Sequence, residues 1–453
     1  MRMRVSLAAG LTAALAVASQ LATAADSKPG FIEKFKQRFK ELQEAQSAKE
    51  AALPRTLEGA VSGFLGGRAA DAEAILKPLA AEKKKDNSFA LYGLALGSVD
   101  LSLGDYQSCE RSLFAALANM GAELSTVKTG FAMLQADSSR PYRGFPHEKM
   151  LAHTYLGLAF FQQSKYEDAR IEFAQAREAQ KGSAAGQEDD FVTGHFLEGM
   201  NFLHRKEYND AQVSFRKVTE LQKEWPLGWF ALCRASDLAH GTAEADEAWS
   251  RYEALAPAEA RMARDGSTNC VLFLVESGRG PHRETAGYLG QWKATDSPEI
   301  RVWFACSEQS RVEAPKLDDL YFQASTSGGV AGEATRKLIS LGAKSLVGSL
   351  FKGDDTAKDN NKDKSKDENK DKKDENKDDV DLRCWATTPA ALHLAAVSVP
   401  AQPSTVELTC SDKAGKNIES LRHVMRFLRG RRFEQAPVVY ERILPNAASR
   451  AGG

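Results

Sequence analysis

A chain of 453 residues, 43% hydrophobic and 27% charged, can bury a core in roughly two to four domain-sized units. Its 60 basic and 61 acidic residues leave a formal net charge of -1. That balance excludes a global field for nucleic acid or an anionic membrane, so a charged partner must meet a local patch.

The chain opens Met1-Arg2-Met3-Arg4, runs apolar from Val5 to Val17, and then reads Ala22-Thr23-Ala24. A basic start, an apolar centre and a small-x-small site are the parts of a secretory signal, here over residues 1–24 with cleavage near Ala24. The expectation is an exported protein, periplasmic or cell-envelope associated. No cysteine follows the apolar stretch to carry a lipid anchor, and no other apolar run is long enough to form a transmembrane segment. Export permits disulfides among Cys109, Cys233, Cys270, Cys306, Cys384 and Cys410. The four beyond residue 265 allow three pairings, and the absence of Cys-x-x-Cys argues against zinc and thioredoxin-type chemistry. Cys109 and Cys233 fall on apolar helical positions and read as buried thiols.

Residues 25–56 read as an amphipathic helix with Phe31, Phe35, Phe39 and Leu42 on one stripe. The stripe suits packing as a terminal cap on the helices that follow. Peripheral membrane contact through Phe31, Phe35 and Phe39 is the other use of it.

Residues 57–257 repeat themselves. Aligned on Gly97, Gly157 and Gly199, the chain places Tyr106, Tyr166 and Tyr208 nine positions on, and Cys109, Ala169 and Ala211 twelve on. Leu113, Phe173 and Phe215 follow at sixteen, and Ala116, Ala176 and Val218 at nineteen. This spacing resembles the tetratricopeptide repeat, in which small residues let two antiparallel helices approach and large ones fill between hairpins. Clear copies span about 90–117, 150–180 and 192–222, weaker ones flank them, and an insertion at 119–149 separates the first two.

Beyond Pro257 the texture changes to β-branched and aromatic runs, "NCVLFLVESGRGP", "IRVWFACSE" and "DLYFQAST", which read as strands. "GEATRKLISLGAKSLVGSLF" reads as a helix and "ALHLAAVSVPAQPSTVELTC" as a strand pair. The fold class is therefore α+β: a tetratricopeptide-like helical-hairpin array, then a mixed α/β domain over 258–353 and 380–445. Residues 354–379 interrupt it with eleven acids and eight lysines, a composition that cannot bury enough surface to order itself.

Catalytic motifs fail on spacing. In "RPYRGFPHEKMLAH", from Arg140 on, His147-Glu148 invites a zincin reading, yet the position four after His147 is Leu151 and the second histidine is His153. Pro146 and Glu148 suit the first and third positions of a helix instead, and Tyr142, Gly144 and Glu148 read as a structural loop. There is no P-loop and no Gly-x-Ser-x-Gly, and no cofactor or metal is called for. The arginines at 422, 426, 429, 431 and 432 read as a solvated helix end.

A functional surface is offered by the concave face of the array, where the first helices place Leu151, Thr154, Leu158 and Phe161, then Phe196, Met200 and Leu203. Such a groove suits an apolar or helical peptide. Alternatively, the mixed domain or the 119–149 insertion fills it in cis.

The block from Arg140 to about Gln180, with Tyr142, Gly144, Glu148-Lys149, His153-Thr154-Tyr155 and the Tyr166–Arg170 turn, resembles a family of bacterial cell-envelope proteins. These carry tetratricopeptide-like repeats, and many are lipoproteins without an established activity. The resemblance continues around Asp381, Arg383, Trp385 and Pro389, while the lipid-anchoring cysteine is missing and the Lys/Asp-rich insert is added. It implies a non-catalytic scaffold or adaptor with protein or peptide partners in the envelope. The rival is an envelope enzyme acting on glycan or peptide, its site in the mixed domain drawing on Glu276, His282 and Asp381.

Overall fold

The computed structural model describes residues 53–81, 86–120, 141–180, 191–286, 289–295, 299–307, 310–326, 382–412, 418 and 424–443. The chain divides into two compact units, Met1–Leu53 with Ala447–Gly453, and Pro54–Asn446; the described elements all belong to the second. The signal segment, the Phe31–Leu42 stripe, most of the 119–149 insertion, the helix expected after Gly332, the 354–379 insert and Asp381 lie outside the described residues. Of the helix expected over 25–56, Leu53–Thr56 are described and are not helical. Thr56 instead accepts the Gly59 N–H and caps the helix after it.

Among the described residues ten helices pair into five hairpins: α1 (Leu57–Leu65) with α2 (Ala69–Ala80), α3 (Phe89–Leu103) with α4 (Tyr106–Met120), α5 (Pro146–Gln162) with α6 (Tyr166–Gln180), α7 (Val192–Arg205) with α8 (Tyr208–Leu221), and α9 (Pro226–Leu238) with α10 (Thr242–Leu255). The repeated glycine is explained by its partner sixteen residues on. A Cβ at Gly97 would stand 2.3 Å from Leu113, one at Gly157 2.7 Å from Phe173, and one at Gly199 2.6 Å from Phe215. Each large side chain packs onto bare backbone, so the glycine and its Leu or Phe form one packing unit. Every hairpin also turns in the same way. Gly67, Gly104, Ser164, Lys206 and His240 all take positive φ, each two residues before its second helix begins.

Among the described residues the strands are β1 (Asn269–Ser277), β2 (His282–Ala286), β3 (Leu289–Lys293), β4 (Arg301–Ser307), β5 (Ser310–Ala314), β6 (Lys316–Asp319), β7 (Ala391–Ser398), β8 (Ser404–Ser411), β9 (Val424–Leu428), β10 (Arg431–Arg432) and β11 (Val438–Ile443), with a short helix α11 (Leu320–Thr326) after β6. The first sheet centres on β1. On one side β1 pairs antiparallel with β7, whose far edge carries β6. On the other it meets β10 for two residues and then β11 in parallel. The second sheet runs β5-β4-β8-β9, and β2 and β3 form a separate ribbon.

β1 is apolar from Cys270 to Val275 because both its faces are covered there. Val271, Phe273 and Val275 face the second sheet, with Phe273 stacked on Phe304 at 4.3 Å. Cys270, Leu272 and Leu274 face the helices and join their core. The result is three layers, helices, sheet and sheet, with one apolar interior on each face of the first sheet and a smaller one among α1, α2 and α3.

Three expectations need correction. "DLYFQAST" is a strand only to Asp319; beyond it α11 forms because the Asp319 carboxylate accepts the Tyr321 and Phe322 N–H groups while Leu320 and Ala324 turn inward. β7 and β8 are not a strand pair but lie in different sheets. The arginine cluster is no helix end: Arg426 lies on β9 and bridges Glu441, and Arg431 and Arg432 form β10.

Candidate functional site

The expected groove is sealed. Leu151, Thr154, Leu158, Phe161, Phe196, Met200 and Leu203 are all buried. The apolar six share one interior with Leu272, Leu274, Leu317, Leu394, Phe433 and Val438 of the mixed domain. An apolar concave stripe beside a sheet with an apolar second face is covered by that sheet, because leaving both faces wet forfeits the burial that holds each of them.

Polar groups fix how the two parts seat. Glu276 shares the helix-facing parity of Leu272 and Leu274, and its side chain is fully buried. Its carboxylate accepts the Tyr155 hydroxyl of α5, the Tyr440 hydroxyl at 2.8 Å and the Arg442 guanidinium. Arg442 continues to the carbonyls of Thr388 at 3.1 Å and Gly278 at 3.3 Å. At the start of α7, Asp318 accepts the Val192 and Thr193 N–H groups at 3.0 and 2.9 Å and the Thr193 hydroxyl. A carboxylate of the mixed domain thus caps a helix of the array. Burial pushes this carboxyl up to about 6 against the pull of its donors.

The loop before α5 makes a third joint. Tyr142 is buried, its N–H donates to the Asn87 carbonyl at 2.8 Å, and its hydroxyl donates to Glu148. Glu148 also accepts the Phe145 N–H at 2.8 Å and, across the seam, the Trp385 N–H at 2.6 Å. Gly144 takes a φ of 68°, where a Cβ would strike the Met120 sulfur at 2.4 Å. His147 is buried against Phe145 and Trp292, and burial holds it neutral by pushing it down to about 3. His153 pairs with Glu172 at 2.7 Å instead.

Of the residues of the enzymatic reading, Asp381 lies outside the described residues and the other two are engaged elsewhere. The Glu276 oxygens are occupied as above, while His282 opens β2 at the surface and meets Glu284 at 3.1 Å. A pairing that sequence reasoning missed is Ser277 with His393, 2.8 Å apart. The His393 Nδ1 donates to the Ala314 carbonyl at 3.2 Å, leaving Nε2 to accept the Ser277 hydroxyl, and burial pushes the imidazole down to about 4. It ties β1, β5 and β7 at one point. The six cysteines stand as free thiols. Among the described residues no cluster of three His, Cys, Asp or Glu is placed to hold a metal, and no helix is long and apolar enough to cross a membrane.

One part of the seam is open. Between the α8–α9 turn, the end of α10, and the point where β5 passes into β6, a cleft of about 570 Å³ is lined by Trp225, Leu227, Tyr252, Met262, Trp303 and Leu317. Its size falls within the roughly 300–1,000 Å³ of ligand pockets. Sequence reasoning missed it because its walls come from four segments spread between Gln222 and Ser398. The local signal was a pair of tryptophans, one beside the Pro and Gly of "KEWPLG" and one in the strand "RVWFA".

No family model matches the chain, and no curated protein matches it. Solved structures of MamA are similar in part. "Crystal structure of MamA" is 14% identical and covers 42% of this chain and 89% of its own at a TM-score of 0.31. MamA AMB-1 is 18% identical, covering 45% and 92% at 0.33, and MamA from Desulfovibrio magneticus RS-1 is 14% identical, covering 48% and 94% at 0.31. At these scores the likeness carries no argument, and the tetratricopeptide-like character rests on the five hairpins themselves.

Proposed function

We propose that the protein is an exported, non-catalytic scaffold of the cell envelope that holds a protein or peptide partner in the open cleft rather than on the concave face of its array. The single observation that carries the reading is the cleft itself, a cavity walled by aromatic and methionine side chains. The concave residues lie inside the fold; Trp225, Tyr252 and Met262 are buried too, yet together with the half-buried Trp303 they line a cavity of about 570 Å³. Aromatic and methionine side chains in a concave, partly apolar site are the usual anchors of protein recognition. Export is supported by the basic start, apolar stretch and Ala22-Thr23-Ala24 site.

A photo-cross-linking residue at Glu224, exposed at the cleft, and one at Val213, 60% exposed on α8, test the reading in living cells. The expected result is a discrete partner cross-linked from position 224 and not from 213, recovered with the exported fraction. Cross-links from 213 alone, or a chain retained in the cytoplasm, would overturn it.

A further inference from the structure

Two strand edges reach this cleft with no further strand paired to them among the described residues. β6 pairs with β7 only from Ala391 to His393. Beyond it, Leu394 to Ser398 have β1 on one side and, among the described residues, no strand on the other. β5 has β4 on one side and is likewise the edge of its sheet. The chain switches sheets at Pro315, so the two edges diverge there. Arg311–Glu313 of one and Ala395–Ser398 of the other line the cleft between them. An open edge presents a row of backbone donors and acceptors, and a helical ligand, which satisfies its own backbone, leaves that row unpaired. An extended chain pairs with it and sets alternate side chains against the apolar wall.

Charge narrows the occupant further. The Arg311 guanidinium lies 4.4 Å over the Trp303 ring and has no carboxylate partner among the described residues, whereas Glu313 is held by Arg301 at 3.0 Å. Glu224 lines the same cleft, so a single acid suits it and an acidic run does not. We infer that the cleft takes an extended segment of a partner protein, added as a strand along β5, with one acidic side chain reaching Arg311. This rests on the cleft being the partner site and names what that partner presents.

The test pans a displayed library of random linear 12-residue peptides on the full chain and follows synthetic copies of the enriched sequences by calorimetry. Enriched peptides should alternate apolar residues and carry an acid. Backbone N-methylation at alternate positions should weaken binding about tenfold, with the intervening positions silent, as the loss of paired edge hydrogen bonds requires. Arg311→Glu, at an exposed position, should weaken acid-bearing peptides about tenfold and favour copies with lysine in place of the acid. Binding indifferent to N-methylation, binding unchanged by Arg311→Glu, or no enrichment at all overturns the inference. Cross-linking from position 224 alongside an empty library would leave the cleft as the partner site and remove the strand.

Discussion

The seam between the helical array and the mixed domain differs between its two ends. Along α5 and α7 it is closed by buried polar groups that each find partners across it, Glu276 with Tyr155, Asp318 with α7 and Glu148 with Trp385. Near α9 and α10 such ties are sparser: Gln222 reaches the Leu317 carbonyl at 3.5 Å and Arg234 meets Glu434 at 2.6 Å, and between them the cleft opens. A buried polar group is costly unless paired, so a chain of such groups admits one seating of the two parts and penalises any other. Where the chain of ties thins, apolar walls can stand apart and keep room for another molecule.

The largest expected effect follows from breaking the closed end. Arg442→Met leaves the Glu276 carboxylate buried without its cation and should destabilise the fold by about 3–5 kcal/mol. The double variant Arg442→Met, Glu276→Gln should recover part of that loss, because the uncompensated charge is gone. Urea denaturation of both checks it; a single variant as stable as the parent would mean that the joint does not hold the seam.

The same comparison marks what was legible in the sequence. The hairpins were, because glycine and its Leu or Phe sixteen residues on lie within one unit, and the spacing recurs. β1 was too, since its run from Cys270 to Val275, covered on both faces, is apolar. Its partners were not: β11 pairs with it across more than 160 residues, and no local pattern encodes that register. Leu151 and Phe196 read as a groove because an apolar stripe looks the same whether a partner or the chain itself covers it. The cleft was illegible for a related reason, since open strand edges are defined by strands that are absent, and α11 was misread because its cap, Asp319, lies at the end of a strand.

A smaller effect concerns acid. Between pH 4 and 6 opposed contributions meet. The Asp318 carboxyl, pushed up to about 6, holds its proton more tightly folded than unfolded. Its contribution is fully present below about pH 4 and is lost as pH rises through about 6. His147 and His393, pushed down to about 3 and 4, contribute stability above about pH 6.5 that is lost as pH falls. Asp318→Asn removes the opposing group. Stability should then fall more steeply from pH 6 to 4 than in the parent, by up to about 1.4 kcal/mol per pH unit. Thermal melts across that range measure it, and parallel curves would show that Asp318 does not titrate there.

The smallest effect belongs to the open end. Arg311→Ala removes an exposed guanidinium lying over Trp303, a contact worth about 0.5–1 kcal/mol at such a site. Its melting temperature should stay within a few degrees of the parent's, close to the limit of what a surface change does. A cleft residue that mattered to folding would behave like Arg442, and a large drop for Arg311→Ala would mean that the two ends of the seam are built alike. Near-silence in stability, joined to a change in what the cleft binds, is the signature of a surface kept for something outside the chain.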